Sequence, residues 1–389
     1  MPTASSFLPL WDRAAEWRRR LEMIEQARSF VYLSTFYIEW DAYARELVDA
    51  LERAARRGVA VSLLVDGFGQ RLGGVLMTGP EREALSARLG DLRTLGADVR
   101  LYRPRHAVQR LVGGGQHVKI QAADTGELIT GSSNITRTSF EGWNEFSVAV
   151  RGPLARRILE SWTLIGGRVE TAHLDALHQG RSEDAGSAPG DVSLPFDYWC
   201  CNPNLHQTVT GPFGWRGANA VTDRMVEMVE SARTSLVITT FYFKPVRRLM
   251  EAVLAAARRG VRVEIFHSHR EALPATDLAW IAAAAGYDRL LQAGVSILEN
   301  RRGEHSKIVL VDDGWAAFGS YNFEDAAHDR LAEAMLASRA PTVVSAVRAI
   351  IAGLRADPAT VPVTPGWARA LPASLRGKMA LTRSFKRWM

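Results

Sequence analysis

One pattern, present twice, constrains this chain more than any other. His117-Val118-Lys119 leads to Asp124 and then to Gly131-Ser132-Ser133-Asn134. His305-Ser306-Lys307 leads to Asp312 and then to Gly319-Ser320-Tyr321-Asn322. Spacing and order are the same in both copies. The second runs through Ile308-Val309-Leu310-Val311, which reads as a buried strand with a His and a Lys at its entrance. Residues two apart on a strand share a face, so each His points the same way as its Lys. Asp124 and Asp312 count with the candidate catalytic residues as members of the motif, but they have the opposite parity, which predicts support more than direct chemistry. An imidazole beside an ammonium suits a phosphate.

The duplication extends beyond the motifs. Ala54-Ala55-Arg56-Arg57-Gly58-Val59 answers Ala256-Ala257-Arg258-Arg259-Gly260-Val261, and the strand Phe30 to Tyr37 answers Ser235 to Phe243. Leu95-Gly96-Ala97-Asp98-Val99 answers Ala293-Gly294-Val295-Ser296-Ile297. The period is roughly 190 residues, too long for a solenoid. Strands alternating with helices, such as the amphipathic 11–28 and the Gly58-capped 43–57, predict an α/β fold. The expected divisions are a first half over 1–170, a linker over 171–219, a second half over 220–355 and a tail over 356–389. Gly180 to Pro195, rich in Gly, Ser, Pro and Asp, reads as a loop. Residues 70–92 are an insertion with a helix expected from Pro80 to Leu92.

The paired motifs resemble those of the phospholipase D superfamily. Leu64-Val65-Asp66-Gly67-Phe68-Gly69 and Gly142-Trp143-Asn144-Glu145, leading to Gly152-Pro153, make the chain look most like the bacterial cardiolipin synthase branch. The resemblance covers most of 20–355. It implies two mixed-sheet α/β halves packed as a pseudo-dimer, with one active site at their interface. It also implies an acid downstream of each Gly-Ser-x-Asn that orients an imidazole. Glu145 and Glu333 each stand 14 residues beyond the Gly that opens that motif. After Asn322 the chain departs from the family: Glu324, Ala326-Ala327 and Leu331 replace an Asp, an Arg-Ser pair and an Asn. Gln121 interrupts the first motif strand, where an apolar residue is expected.

A phosphodiester repels nucleophiles, and its alkoxide leaves badly. A neutral imidazole can attack phosphorus to give a phosphohistidine, while a protonated one donates to the leaving oxygen. The resemblance favours His117 as nucleophile and His305 as acid and base. Lys119, Lys307, Ser132, Asn134, Ser320 and Asn322 are the expected donors to the phosphoryl oxygens. These side chains supply the electrostatics, so no catalytic metal and no cofactor are expected. His267-Ser268-His269 reads as pocket wall or solvent-facing rather than a metal site.

The formal charge of +6 comes from 48 basic and 42 acidic residues. From Gly366 onward there are six basic side chains and no acid, so the excess belongs to the tail. A neutral body without basic stretches interleaved with aromatics makes nucleic acid an unlikely partner. The resemblance implies a phospholipid donor and an alcohol acceptor, such as phosphatidylglycerol, with hydrolysis to phosphatidic acid as the alternative. In the tail, Leu375, Met379, Leu381, Phe385 and Trp388 fall about one side of a notional helix, with Arg376, Arg383 and Arg387 mostly opposite. Such a helix either meets an anionic phospholipid membrane or packs on the protein's own core. No apolar run reaches the ~18 residues of a membrane-spanning helix. The adjacent Cys200 and Cys201 imply no disulfide framework and fit a reducing compartment. A cytoplasmic protein, peripherally associated with the inner face of the cell membrane, is the expectation; nothing identifies protein partners.

Overall fold

A computed structural model describes residues 1–179, 193–205, 217–273 and 277–382. Each half is built on one mixed sheet. In the first, the strand order is Ser6–Leu10, Ser147–Arg151, Glu127–Gly131, Lys119–Ala123, Phe30–Thr35, Ala60–Asp66, Asp98–Tyr102. The last three are parallel and the rest antiparallel. Parallel neighbours need crossovers, and Ala42–Arg56 and Gly79–Thr94 supply them. The second sheet repeats the scheme. Ser235–Thr239, Arg262–Ser268 and Ser296–Asn300 run parallel, flanked by the antiparallel Ile308–Val311, Trp315–Gly319 and Leu331–Ser338. The matching crossover helices Ala42–Arg56 and Arg247–Arg258 are followed by Gly58 and Gly260, both at φ near +85° where a side chain would be strained.

Alternation along the strands divides the core. Val31 and Leu33 face the first half's own helices, while Phe30 and Tyr32 face a core shared with the second half. From the other side Val237, Ile308, Leu310 and Phe318 enter the same shared core. Phe146 and Phe318 meet edge to face there, with centroids 5.1 Å apart. The halves are therefore joined by interior packing of the kind that holds a single domain.

Backbone pairing reinforces this. Gly115–Gln116, just before His117, runs parallel to Leu331–Ala332 of the second half. Asn144 forms the corresponding bridge with Glu304, just before His305.

The expected boundaries shift. The 171–219 stretch is more than a linker. Its helix Thr171–Gln179 packs on Pro153–Glu160, Leu194–Pro195 pairs with Thr3–Ala4, and Asp197–Cys201 forms an edge of the second sheet. Cys200 and Cys201 on that strand face the shared core and the second-half core respectively, and both are free thiols. Most of the expected Gly180–Pro195 loop lies outside the described residues. At the other end, Thr360–Pro362 adds a strand beside Ser296–Asn300, so the second half extends past 355.

The tail helix Ala373–Thr382 buries Leu375 and packs Met379 against the second-half core. Over these residues the apolar face is already covered by the protein itself. Arg383, Phe385, Lys386, Arg387 and Trp388 lie outside the described residues. The helix expected in the insertion spans Gly79–Thr94, opened by a Thr78–Glu81 capping box. Gln121 is accounted for as well. It is buried, accepts from Arg20 Nη1 at 3.2 Å and donates to Arg20 O at 2.7 Å.

Candidate active site

Both His-x-Lys segments reach the interface between the halves, and all four side chains are buried there. Each Lys curls back on its own histidine: Lys119 Nζ donates to His117 O at 2.8 Å, and Lys307 Nζ to His305 O at 2.5 Å. The histidines are held by the opposite half. His117 N donates to Ala332 O, and His305 N donates to Asn144 O, both at 2.8 Å. Those carbonyls immediately precede Glu333 and Glu145.

The acids follow the same crossing. His305 Nδ1 lies 2.8 Å from Glu145 Oε2 of the first half. His117 Nδ1 lies 3.0 Å from Ser320 O and 3.3 Å from Glu333 Oε2 of the second. A carbonyl oxygen only accepts, so His117 Nδ1 carries the proton and the lone pair sits on Nε2.

The two pairs are unequal. Glu145 is satisfied on both oxygens, by His305 and by Ser139 Oγ at 2.8 Å. Burial alone would raise its pKa, but His305 and Lys307 bring it down to about 2. Glu333 accepts from Ser320 Oγ through Oε2. Its Oε1 is 3.2 Å from His117 Nδ1 but out of line for a hydrogen bond. Burial pushes Glu333 up to about 8, against the pull of Lys119. Burial also lowers His305 to about 4, opposed by Glu145. His117 is held well below the usual imidazole range by burial and by Lys119 and Lys307. Lys119 falls to about 7 and Lys307 to about 8, mainly through desolvation.

Asp124 and Asp312 stand apart from this cluster, so the direct catalytic place that motif membership gave them is corrected. Asp124 accepts from the backbone of Arg28 and Ser29 and from Ser29 Oγ. Asp312 accepts from the backbone of Arg233, Thr234 and Ser235 and from Thr234 Oγ1. Each tethers the entry to the neighbouring central strand, as its parity requires.

Ser132 and Ser320 also differ from the phosphate donors expected. Ser132 Oγ donates to Phe146 O and accepts from Phe146 N, while Ser320 Oγ holds Glu333 and accepts from Ala334 N. The motif made them candidate donors, but each hydroxyl is claimed by the backbone next to its own half's acid. Asn134 is buried, with Oδ1 3.5 Å from Thr35 Oγ1. Asn322 donates Nδ2 to Glu324 Oε1 at 3.3 Å and leaves a buried Oδ1 without a partner.

Several neighbours escaped the sequence reading. Trp143 stacks on His305 with centroids 4.9 Å apart, Phe241 meets the same ring edge-on, and Phe36 meets His117 edge-on. The repeated Thr-Phe-Tyr of 35–37 and 240–242 was the available signal for Phe36 and Phe241. Trp143 has no counterpart in the second half, where Leu331 occupies the place. His267 is wholly buried and bonds Tyr287 OH at 2.6 Å, while His269 caps a short turn. Among the described residues no three His, Cys, Asp or Glu side chains are grouped to hold a metal. Nor is any helix there long and apolar enough to cross a membrane.

The chain matches the family described as cardiolipin synthase, PLD-like domain, over 21–162 and again over 225–355. It belongs to that family. Cardiolipin synthase B of Salmonella typhimurium is 28% identical over 317 residues, covering 78% of this chain and 69% of that protein. The Escherichia coli K12 protein of the same name is 25% identical over 311 residues, with 77% and 68% covered. The structure of phosphatidylserine synthase from Haemophilus influenzae has the same fold, with a TM-score of 0.73 at 17% identity, over 100% of this chain and 96% of that one. The chain is thus a cardiolipin synthase-like phosphatidyltransferase of the phospholipase D superfamily, with a duplicated α/β fold and phospholipids as its substrates.

Proposed function

We propose that the enzyme transfers a phosphatidyl group from a phospholipid donor to an alcohol, phosphatidylglycerol being the acceptor, through a phosphohistidine on His117. The observation that carries this reading is the crossed pair of imidazole–carboxylate contacts, with both lysines beside them.

The lone pair of His117 Nε2 attacks phosphorus, a P–N bond forms, and the bond to the head-group oxygen breaks. His305, carrying a proton, gives it to the departing alkoxide. Burial lowers His305 to about 4. An anionic diester beside it favours the imidazolium, and the anionic Glu145 on its Nδ1 supports that charge. The now neutral His305 then takes the proton of the acceptor hydroxyl, whose oxygen displaces His117 and completes the new diester. With phosphatidylglycerol as both donor and acceptor, the products are cardiolipin and glycerol. Lys119 and Lys307 carry the charge that steadies the phosphoryl oxygens. Asn134 and Asn322 are the further donors in this reading, and a half-turn of the Asn322 amide would put Nδ2 where the unbonded Oδ1 now lies.

Mass spectrometry of products from phosphatidylglycerol vesicles, with chelator present, tests the reading. Cardiolipin from wild type and none from His117→Ala or His305→Ala is expected. Phosphatidic acid alone would make the enzyme a hydrolase. Absence of turnover, with phosphatidylethanolamine tried as second donor, would overturn the lipid reading.

A further inference from the structure

Two short helices of the first half present apolar side chains to solvent beside the catalytic pocket. On Gly67–Leu76, Leu72 is 48% exposed and Val75 74%; on Ala107–Leu111, Leu111 is 87% exposed. Leu76 and Val108 are exposed on the same two helices. The helices sit side by side. Arg71 Nη2 lies 3.4 Å from Arg110 O, and the Phe68 ring closes over Gly113, where an added Cβ would come within 2.9 Å. Between them lies a cleft of about 310 Å³ lined by Phe68, Arg71, Leu101, Arg103, Pro104 and Arg110.

Within the two segments that carry these helices the charge has one sign. Residues 67–80 and 99–116 contain five arginines, at 71, 100, 103, 105 and 110, and no acid. Of these, Arg71, Arg103, Arg105 and Arg110 are exposed. The body of the chain is neutral overall, so this is a local concentration. The surface also touches the site. Gly69 and Gly73 let the first helix approach Phe36 and Tyr37 so closely that an added Cβ would clash with both, and Phe36 packs on His117. The second helix ends six residues before His117.

We infer that this face, formed by Gly67–Leu76 and Ala107–Leu111, is where the enzyme docks on an anionic phospholipid bilayer. Leu72, Val75, Leu76, Val108 and Leu111 enter the apolar boundary, while the four exposed arginines meet lipid phosphates at the rim. Exposed aliphatic side chains bordered by four exposed arginines match a surface with anionic head groups above hydrocarbon. A cleft bearing three arginines is of a size and charge to hold one lipid phosphate. Docking here would bring the bilayer to the first-half wall of the pocket. The tail competes poorly over its described part, because Leu375 and Met379 are spent on the protein's own core. The inference rests on the reading that the substrate diester lies in a bilayer.

Vesicle flotation tests it, comparing phosphatidylcholine vesicles with and without phosphatidylglycerol, and thermal melts confirm folding of each variant. Wild type should float with the anionic vesicles and lose that binding at high salt. Val75→Glu/Leu111→Glu and Arg103→Glu/Arg105→Glu should each weaken binding at least about tenfold. The tail variant Arg376→Glu/Lys378→Glu should float as wild type does. Leu111→Gln serves as a milder version if a double variant melts early. Wild type that fails to float, patch variants that float normally, or a tail variant that alone loses binding would each overturn the proposal. Turnover is assayed separately in detergent micelles. Turnover without flotation sinks the docking face alone, while flotation without turnover sinks the catalytic reading alone.

Discussion

At the scale of single residues, the two imidazole–carboxylate pairs look alike in sequence and differ in structure. Glu145 is anionic and fully bonded, whereas Glu333 is raised to about 8 and keeps one oxygen without a hydrogen bond. Replacing a group that is already mostly neutral should matter less. Glu333→Gln is therefore expected to reduce kcat by at least about tenfold less than Glu145→Gln, measured on the same donor. Either His→Ala change should cost about 10²- to 10⁴-fold in kcat.

The lysines give a pH signature. With Lys119 at about 7 and Lys307 at about 8, the site loses positive charge as pH rises through that window. An anionic ligand favours the protonated lysines, so binding should weaken above pH 8 and take up protons there. Calorimetry of inorganic phosphate binding in two buffers of different ionisation enthalpy would read the proton count. Proton release instead would contradict these assignments. The sequence showed which side chains share a strand face. It could not show that Ser132 and Ser320 turn to the backbone beside Glu145 and Glu333, because that depends on a neighbouring segment rather than on parity.

At the scale of elements, the paired Asp residues act on strands rather than on substrate. Asp312 gathers three backbone N–H groups and a hydroxyl at the start of Ser235–Thr239. Asp312→Ala is expected to cost about 2–3 kcal/mol in denaturant unfolding, with turnover of the folded enzyme nearly intact. Its carboxyl is held below the usual range, net of burial, by those N–H groups. The contribution is therefore present at neutral pH and lost on acidification through that lowered value.

The strand and helix order was legible because long periodic segments and capping signals such as Gly58 are local. The strand Asp197–Cys201 was not. Its five residues pair with Leu331–Ser338, more than a hundred positions away, as Ser6–Leu10 pairs with Ser147–Arg151 in the first half, and no sequence match links the two edge strands. The covering of the tail helix stayed open in the sequence for a related reason. An apolar stripe looks the same whether lipid or protein covers it, and here Leu375 is covered by protein. Trp143 belongs to this scale too. Gly303 sits at φ +117° with an added Cβ only 2.1 Å from the indole, so Gly303→Ala should displace Trp143 from His305. The expected result is a loss of tryptophan quenching along with activity.

At the scale of the whole molecule, the shared core makes two repeats behave as one body. Phe318 lies in it between Phe7 and Phe146. Phe318→Ala should remove about 3–5 kcal/mol and shift one cooperative transition, seen identically by probes in either half. Two resolved transitions in calorimetry would count against that packing.

The crossed contacts also bear on ancestry. A lone half would hold a histidine whose acid belongs to someone else, so it could work only beside a second copy lending its own. Fusing the copies fixes that loan within one chain and releases them from having to stay alike. The drift is visible: Glu39 faces Lys244 across the repeat, Thr136 faces Glu324, and Ser139 faces Ala327. Once the two lenders differ, one histidine can specialise in attack and the other in handling protons.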